Sequence, residues 1–297
     1  MPDIGFVGLG TMGAPMARRL VGAGARVTVH DRRAAAAERM AALGARVATS
    51  GEALAAASEV ILVTVVNDAQ VREVLGDGGA RGLLGNALPG AVVVIHSTVH
   101  PDTCRELAAV GARRQVTVID APMTGSPNAA AAGSLSFMAG GDAGAIDRIR
   151  PVLAPMASRV TRVGDVGAGQ VAKLANNLAI AVTLCAVHEA LTLAGAFGID
   201  SDVMLPLLSS GGAASWVAGN WRDIGLTADA YPGGSAGLAG LTGKDVALAL
   251  ELAGRGDLAM PAADTASRLL DEAYAAAQAD AHRHGHSHVP PSPAAGS

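Results

Sequence analysis

Three stretches of this sequence combine residue types at spacings that carry chemistry. The first is Gly8-Leu9-Gly10-Thr11-Met12-Gly13, directly after the apolar run Ile4 to Gly8 and at the start of a helical pattern. G-x-G-x-x-G in that setting is a dinucleotide fingerprint: Gly8 permits a tight turn, Gly10 lets backbone approach a pyrophosphate, and Gly13 lets helix and strand pack closely. The phosphates then meet unpaired N–H groups at a helix N-terminus. Asp31 closes the next apolar run, 18 residues beyond Gly13, where a carboxylate accepts from ribose hydroxyls. That arrangement predicts NAD. Arg32 and Arg33 follow at once, and a guanidinium there suits a 2′-phosphate, so NADP stays open. A glycine turn in some other α/β protein is the bland alternative.

The second stretch is Lys173 and Asn177. Of the chain's 22 Lys and Arg residues only two are lysines, Lys173 and Lys244. Where Arg supplies nearly all positive charge, the rare lysines are candidates for releasing a proton near neutral pH, which a guanidinium does not do. Four residues apart, Lys173 and Asn177 share one helix face. An ammonium near a helix N-terminus and a cationic ring is pushed toward the neutral form that a general base requires. A carboxamide one turn away can donate to a substrate oxygen. Taken alone, such a pair more often marks an ordinary solvated helix face.

The third is Asp120-Ala121-Pro122-Met123-Thr124-Gly125-Ser126, at the C-terminal end of an apolar run. Ligands bind at that edge of open α/β sheets, and Thr124, Gly125 and Ser126 offer hydroxyls and N–H groups to a carboxylate. A plain strand-to-loop turn is the alternative.

The elements that must position these groups follow from periodicity. Strand-like runs at Ile4 to Gly8, Arg26 to Asp31, Val60 to Val66, Ala91 to His96 and Val116 to Ala121 alternate with Ala-rich helical stretches. That rhythm predicts βα units and a mostly parallel, doubly wound Rossmann sheet. From Gly167 to Gly195 the alternation stops and apolar residues recur at helical spacing. Helical patterns then continue to about Ala277, punctuated near Gly211, Pro232, Gly256 and Pro261. The reading is a dinucleotide-binding domain over 1–163 and an all-α substrate and dimerisation domain over 164–280, with a long helix leading into it. Residues 281–297, rich in His and Pro, are expected to be a disordered tail whose alternating histidines are solvated rather than metal-bound.

Composition narrows the rest. Half of the residues are apolar, yet there are only three Phe, two Trp and two Tyr, so small aliphatics must fill the core between closely spaced helices. The net charge of −4 is spread along the chain, without the basic stripe that neutralises a phosphate backbone, which excludes nucleic acid as a natural partner. Runs such as Val60 to Val66 and Ala91 to Ile95 fall short of the roughly 20 apolar residues of a membrane span, and no signal-like N-terminus is present. A cytoplasmic protein is expected. Cys104 and Cys185 lack metal-type spacing and are read as reduced structural thiols, and no metal site is expected.

Together these segments resemble the β-hydroxyacid dehydrogenase family, which includes 3-hydroxyisobutyrate dehydrogenase and tartronate semialdehyde reductase. The likeness runs from Ile4 to about Ala275. It rests on Gly8 to Met16, Ser97-Thr98-Val99-His100-Pro101, Asp120-Ala121-Pro122 with Gly125, Gly133-Ser134-Leu135 to Gly140-Gly141, Gly167-Ala168-Gly169 with Lys173 and Asn177, and Lys244-Asp245. The resemblance implies hydride transfer between a nicotinamide and the hydroxyl carbon of a short β-hydroxy acid. It implies Lys173 as acid/base, Asn177 as a substrate-orienting group, and Thr124 to Ser126 as carboxylate binders. Val65, Val66, Thr98 and Lys244 would line the cofactor site alongside Gly8 to Gly13, Asp31 and Arg32. A homodimer or homotetramer is expected, because the long helix shows apolar residues on more than one side.

The chain also departs from the pattern. Thr124-Gly125-Ser126 replaces Ser-Gly-Gly, His96 stands where an acid is common, and Val65-Val66-Asn67-Asp68-Ala69-Gln70 replaces a Leu-Pro-Asp pattern. This last stretch is closer to the branch acting on four-carbon sugar acids such as threonate, which leaves 3-hydroxyisobutyrate-, glycerate- and threonate-like substrates open. Imine reductases share the architecture but generally lack the lysine. In 6-phosphogluconate dehydrogenase a His occupies the place of Asn176. A non-catalytic dinucleotide-binding module is the remaining alternative.

Overall fold

The computed structural model describes residues 1–285. The chain divides into two compact units, Met1–Lys173 and a second beginning at Leu174.

The first unit is built on one sheet. Its strands are β1 (Ile4–Val7), β2 (Val27–His30), β3 (Arg46–Val47), β4 (Val60–Val63), β5 (Val92–Ile95), β6 (Thr117–Asp120), β7 (Met123–Thr124), β8 (Leu135–Gly140) and β9 (Ala157–Gly164). The order is β3-β2-β1-β4-β5-β6-β8-β7, with β9 also paired to β8. From β3 to β6 every pairing is parallel; β8 runs antiparallel to β6 and β7. Chain order reverses between β1 and β4, which makes a crevice above the carboxyl ends of these strands.

Helices cover both faces, so the central strands read as unbroken apolar runs. Phe6, Leu62, Val94 and Ile119 face one core, packed with Met16 and Leu20 of the helix Gly13–Gly22. Their neighbours Val7, Ile61, Val93 and Val118 face the other, with Leu54 and Leu107. The doubly wound, mostly parallel expectation holds, and β8 and β9, parallel to each other, are its antiparallel exception.

In the second unit the described residues form helices only: Ser201–Ser210, Trp216–Gly219, Trp221–Ala228, Gly234–Arg255 and Pro261–His284, following most of Ala168–Ala196. The long helix falls where periodicity placed it. Leu184, Leu205, Trp221, Val246, Leu270 and Tyr274 make the core. Small residues set the spacing, as composition required: a Cβ on Gly225 would lie 2.2 Å from the Ala277 carbonyl oxygen. Arg222 is buried against Asp280, Nε to Oδ2 at 2.8 Å, and Asp280 also accepts from the Ser201 hydroxyl at 2.7 Å.

One expectation is corrected here. Residues 281–284 are not tail but the last turn of the helix Pro261–His284, where His282 meets Asp229 at 3.1 Å and His284 meets Asp202 at 3.3 Å. The cationic Arg283 in the last turn also suits the helix dipole. His286 and His288 lie outside the described residues. Ala168–Ala196, longer than the apolar runs of the strands, is long and apolar enough by length and composition to cross a bilayer, its most apolar 18-residue window having a mean hydropathy of 1.7.

Candidate active site

The glycine loop leaves β1 at the switch point. Gly8 has φ +92°, and a Cβ there would lie 2.1 Å from the Thr64 carbonyl oxygen. A Cβ on Gly13 would lie 2.0 Å from the Gly8 carbonyl oxygen, so this glycine brings the helix down onto the strand. Gly10 differs: a Cβ there would have no atom within 4 Å. Nothing in the chain's own packing demands a glycine at 10, whereas a pyrophosphate against the backbone would. The loop therefore fits a dinucleotide, with Thr11 and Met12 half-buried in the turn that begins the helix. Gly10→Ala is expected to keep the melting temperature within a few degrees and weaken cofactor binding about tenfold or more, near 1.4 kcal/mol. Thermal denaturation and a cofactor fluorescence titration check the two halves separately.

Asp31, at the end of β2, holds this loop. Its Oδ2 accepts from the Leu9 N–H at 2.7 Å, and its Oδ1 from the Arg33 N–H at 2.8 Å. Arg33 also reaches the Leu9 carbonyl with Nη2 at 3.1 Å. Burial would raise this carboxyl, but the Arg33 and Leu9 N–H groups and the Arg33 guanidinium outweigh it and keep the group below the usual carboxylate range. The acid thus serves the loop's shape, with lone pairs remaining for a ribose. Arg33, not Arg32, folds onto the loop; Arg32 is exposed.

Val65 and Val66 follow β4. The Val65 N–H donates to Ser97 Oγ at 2.8 Å, and the Val66 N–H to Gln70 Oε1 at 3.1 Å. Asn67 caps the next helix, Asp68–Leu75, by accepting from the Gln70 N–H at 3.0 Å. Ser97 and Thr98 follow β5, so these candidate cofactor contacts sit on adjoining loops of one sheet edge.

His96 lies just before them and is fully buried. Its Nδ1 lies 2.7 Å from the Ala121 carbonyl, which fixes Nδ1 as the protonated nitrogen, and the ring packs against Phe137 at 5.1 Å. Burial takes its pKa down to about 4 although the carbonyl favours the cation. Neutral and enclosed, His96 is no proton carrier for a bound substrate.

In the loop after β6, Thr124 lies in β7, paired with Ser136. Gly125 has φ +131°, and a Cβ there would meet Leu135 Cδ2 at 2.8 Å, so the glycine is structural. Ser126 caps the helix Pro127–Ala132, its Oγ accepting from the Ala129 N–H at 3.3 Å. The larger side chain at 126 is therefore used by the fold itself.

Lys173 and Asn177 are both half-buried on the long helix. Within the second unit, Asn177 Nδ2 donates to Asp245 Oδ2 at 2.5 Å, and Lys244 Nζ donates to Asp245 Oδ1 at 2.6 Å. Asn176 Nδ2 donates to Asn177 Oδ1 at 3.1 Å. Asp245, buried beside Lys244, joins two predicted site residues and had been given no role. Its sequence signals are adjacency to a rare lysine and a place in the Lys244-Asp245 segment that carries the family resemblance.

The sheet order, the glycine loop and the helical second unit define an NAD(P)-binding protein of the Rossmann class. Residues 3–164 match the family model for the NAD-binding domain of 6-phosphogluconate dehydrogenase, and 167–289 that for the NAD-binding unit of NADP-dependent 3-hydroxyisobutyrate dehydrogenase. A 3-hydroxyisobutyrate dehydrogenase of Pseudomonas aeruginosa is 34% identical over 255 residues, 84% of this chain and 85% of the relative. An NAD-dependent L-serine dehydrogenase of the same organism is 34% identical over 259 residues, 85% of this chain and 86% of the relative. The solved 3-hydroxyisobutyrate dehydrogenase of Mycobacterium tuberculosis with L-serine superposes with a TM-score of 0.80 at 32% identity, covering 94% of this chain and 96% of that one. The chain belongs to the β-hydroxyacid dehydrogenase family of NAD(P)-dependent oxidoreductases acting on CH–OH donors. The second match takes in the apolar helix Ala168–Ala196, so that helix belongs to the region shared with this dehydrogenase family.

Proposed function

We propose that the protein oxidises the hydroxyl carbon of a short 3-hydroxy carboxylic acid, with Lys173 accepting the hydroxyl proton. The observation that carries this reading is the placement of Lys173, the last residue of the first unit, one turn into a helix fastened to the sheet edge where the dinucleotide loop opens. A bound nicotinamide supplies the hydride acceptor. Lys173 takes the proton, Asn177 orients the oxygen, and Thr124 with the Gly125 and Ser126 backbone holds the carboxylate. Asp245 fixes the Asn177 amide and the Lys244 ammonium, and Lys244, Thr98, Val65 and Val66 are the proposed cofactor contacts. Steady-state turnover with 3-hydroxyisobutyrate, L-serine, glycerate and threonate tests the reading. Absence of turnover on every one of them with either cofactor would overturn it.

NAD is the proposed cofactor, because Asp31 presents a carboxylate where NADP carries its 2′-phosphate. Comparing kcat/KM for the two settles the choice, and a preference for NADP of more than about tenfold would show that Arg32 and Arg33 prevail.

A homodimer or homotetramer in the cytoplasm completes the proposal. Leu193 and Phe197 are 65% and 80% exposed at the end of the long helix, with Val203 and Leu207 exposed on the next, an apolar patch of the kind interfaces cover. Light scattering at micromolar concentration is expected to give a multimer; a monomer counts against it. Both thiols are free and buried, in keeping with a reducing compartment.

A further inference from the structure

The long helix Ala168–Ala196 is capped by a residue from another part of the sheet. Asp120 ends β6 with no solvent-exposed surface. Its Oδ1 accepts from the Gly167 N–H at 2.6 Å and its Oδ2 from the Gln170 N–H at 2.9 Å. Gln170, equally buried, donates from Nε2 to the Ser97 carbonyl at 3.0 Å and accepts with Oε1 from the Val99 N–H at 3.0 Å. The first turn is thereby bound to the ends of two neighbouring strands, one leading into Thr98 and the other into the Thr124 loop.

Glycines remove any slack. A Cβ on Gly169 would lie 2.3 Å from the Met138 carbonyl oxygen and 2.6 Å from Asp120 Oδ2; one on Gly140 would lie 2.7 Å from Asp120 Oδ1 and 2.8 Å from the Gly169 nitrogen. The helix start can neither slide nor rotate without losing these contacts. Lys173 follows Gln170 by three residues and so rises from nearly the same side of the helix.

We propose that Asp120 and Gln170 are positioning residues for proton transfer: by fixing the depth and rotation of the first turn on β5 and β6, they set where the Lys173 amine stands over the sheet edge. This rests on the reading of Lys173 as the proton-accepting group. Misplacement of a reacting group by about 1 Å costs on the order of a hundredfold in rate, so a two-strand clamp is the appropriate device. Asp120 adds an anion at the positive end of the helix dipole, which favours a cationic Lys173. The other titratable groups around Asp120 are Cys104, from the helix Pro101–Ala112 behind β6, whose thiol burial and the Asp120 charge push up, Arg105 beside Gly167, Asp165, and His96 just after β5.

The test compares Gln170→Met and Asp120→Asn in the full-length protein, reading kcat, KM, cofactor Kd and the pH dependence of kcat/KM for oxidation. Gln170→Met removes both side-chain bonds without changing charge. It is expected to lower kcat about tenfold or more, leave cofactor Kd within about threefold, and leave the pH profile in place. Asp120→Asn is expected to lower kcat similarly and to move the acid limb of the profile to lower pH, a shift that mere loosening does not produce. If Gln170→Met does not fold, Gln170→Glu keeps an acceptor for the Val99 N–H but sets a buried carboxyl against the Ser97 carbonyl and beside Asp120, so its kcat alone, and not its pH profile, is read. Wild-type kcat in these variants, or an unmoved acid limb in Asp120→Asn, overturns the inference. An inactive Lys173→Met beside fully active Asp120 and Gln170 variants overturns it alone, whereas an active Lys173→Met overturns the reading on which it stands.

Discussion

Lys173→Met is expected to lower kcat by about two orders of magnitude or more while the protein still folds and binds cofactor. A hydroxyl of high pKa must lose its proton as hydride leaves, and a positioned base contributes roughly 10²–10⁴-fold to such a step. Met replaces the amine with a side chain of similar length in a half-buried position on the helix, so little packing is lost. The dinucleotide loop, Gly8 to Gly13, lies far off in the chain and keeps its shape through Asp31. Cofactor Kd therefore separates lost chemistry from lost structure, and the fall should appear in kcat. Lys173→Arg should recover little, since a guanidinium holds its proton at any working pH. Near-normal kcat in Lys173→Arg would make the lysine an electrostatic anchor and send the proton by another route. Undiminished turnover in a folded Lys173→Met would remove it from the mechanism.

The second large effect concerns stability against pH. Asp120 and His96 are both buried at the ends of neighbouring strands and are displaced in opposite directions. Burial raises the Asp120 carboxyl to about 6, against the pull of the Gly167 and Gln170 N–H groups, and takes His96 down to about 4. Between roughly pH 4 and 6 the folded chain holds a proton on Asp120 that the unfolded chain has released, so this group's contribution falls as pH rises. Over nearly the same range the unfolded chain protonates His96 while the folded chain does not, so that contribution is lost as pH falls. Each displacement is about two pKa units, on the order of 3 kcal/mol, and the two oppose one another. Wild-type unfolding free energy, as far as these groups govern it, should be nearly flat from pH 4 to 6. His96→Leu should expose a decline of about 3 kcal/mol with rising pH, and Asp120→Asn a rise of similar size. Urea unfolding across that range measures both, and identical slopes in the wild type and both variants would refute the assignment.

How much was legible in the sequence differs from element to element for physical reasons. β1, β4 and β5 are buried on both faces, so each shows as an apolar run. β9 has Arg159 and Arg162 exposed on an outer strand and gives no apolar signal, while β3 is two exposed residues. Charged, short outer strands are how sheets avoid edge-to-edge pairing, and the same property hides them from periodicity. At the site, the spacing of Gly8, Gly10 and Gly13 and of Lys173 and Asn177 was readable because each group lies within one or two turns. The bonds from Asp120 to Gly167 and Gln170 join residues 47 and 50 positions apart, and Asn177 to Asp245 spans 68. Partnerships at such separation leave no local pattern. Asp31 is an intermediate case: its place at the end of β2 announces a role, but its hold on Leu9 joins residues 22 positions apart and leaves no local pattern. The final helical turn through His284 escaped because alternating His, Arg and Gly resemble a solvated tail until Asp202 and Asp229 supply polar partners from elsewhere in the fold.

The three glycines of the dinucleotide loop answer to different masters. Gly8 and Gly13 are demanded by carbonyl oxygens of the chain itself, and any protein keeping this strand-loop-helix joint must keep them whatever it does. Gly10 faces open space. A descendant that abandoned redox chemistry and kept only the scaffold would be free to drift at position 10 while 8 and 13 stayed fixed. Among its descendants, then, the residue at that single position would record whether selection still acts for the cofactor, independently of whether it still acts for folding.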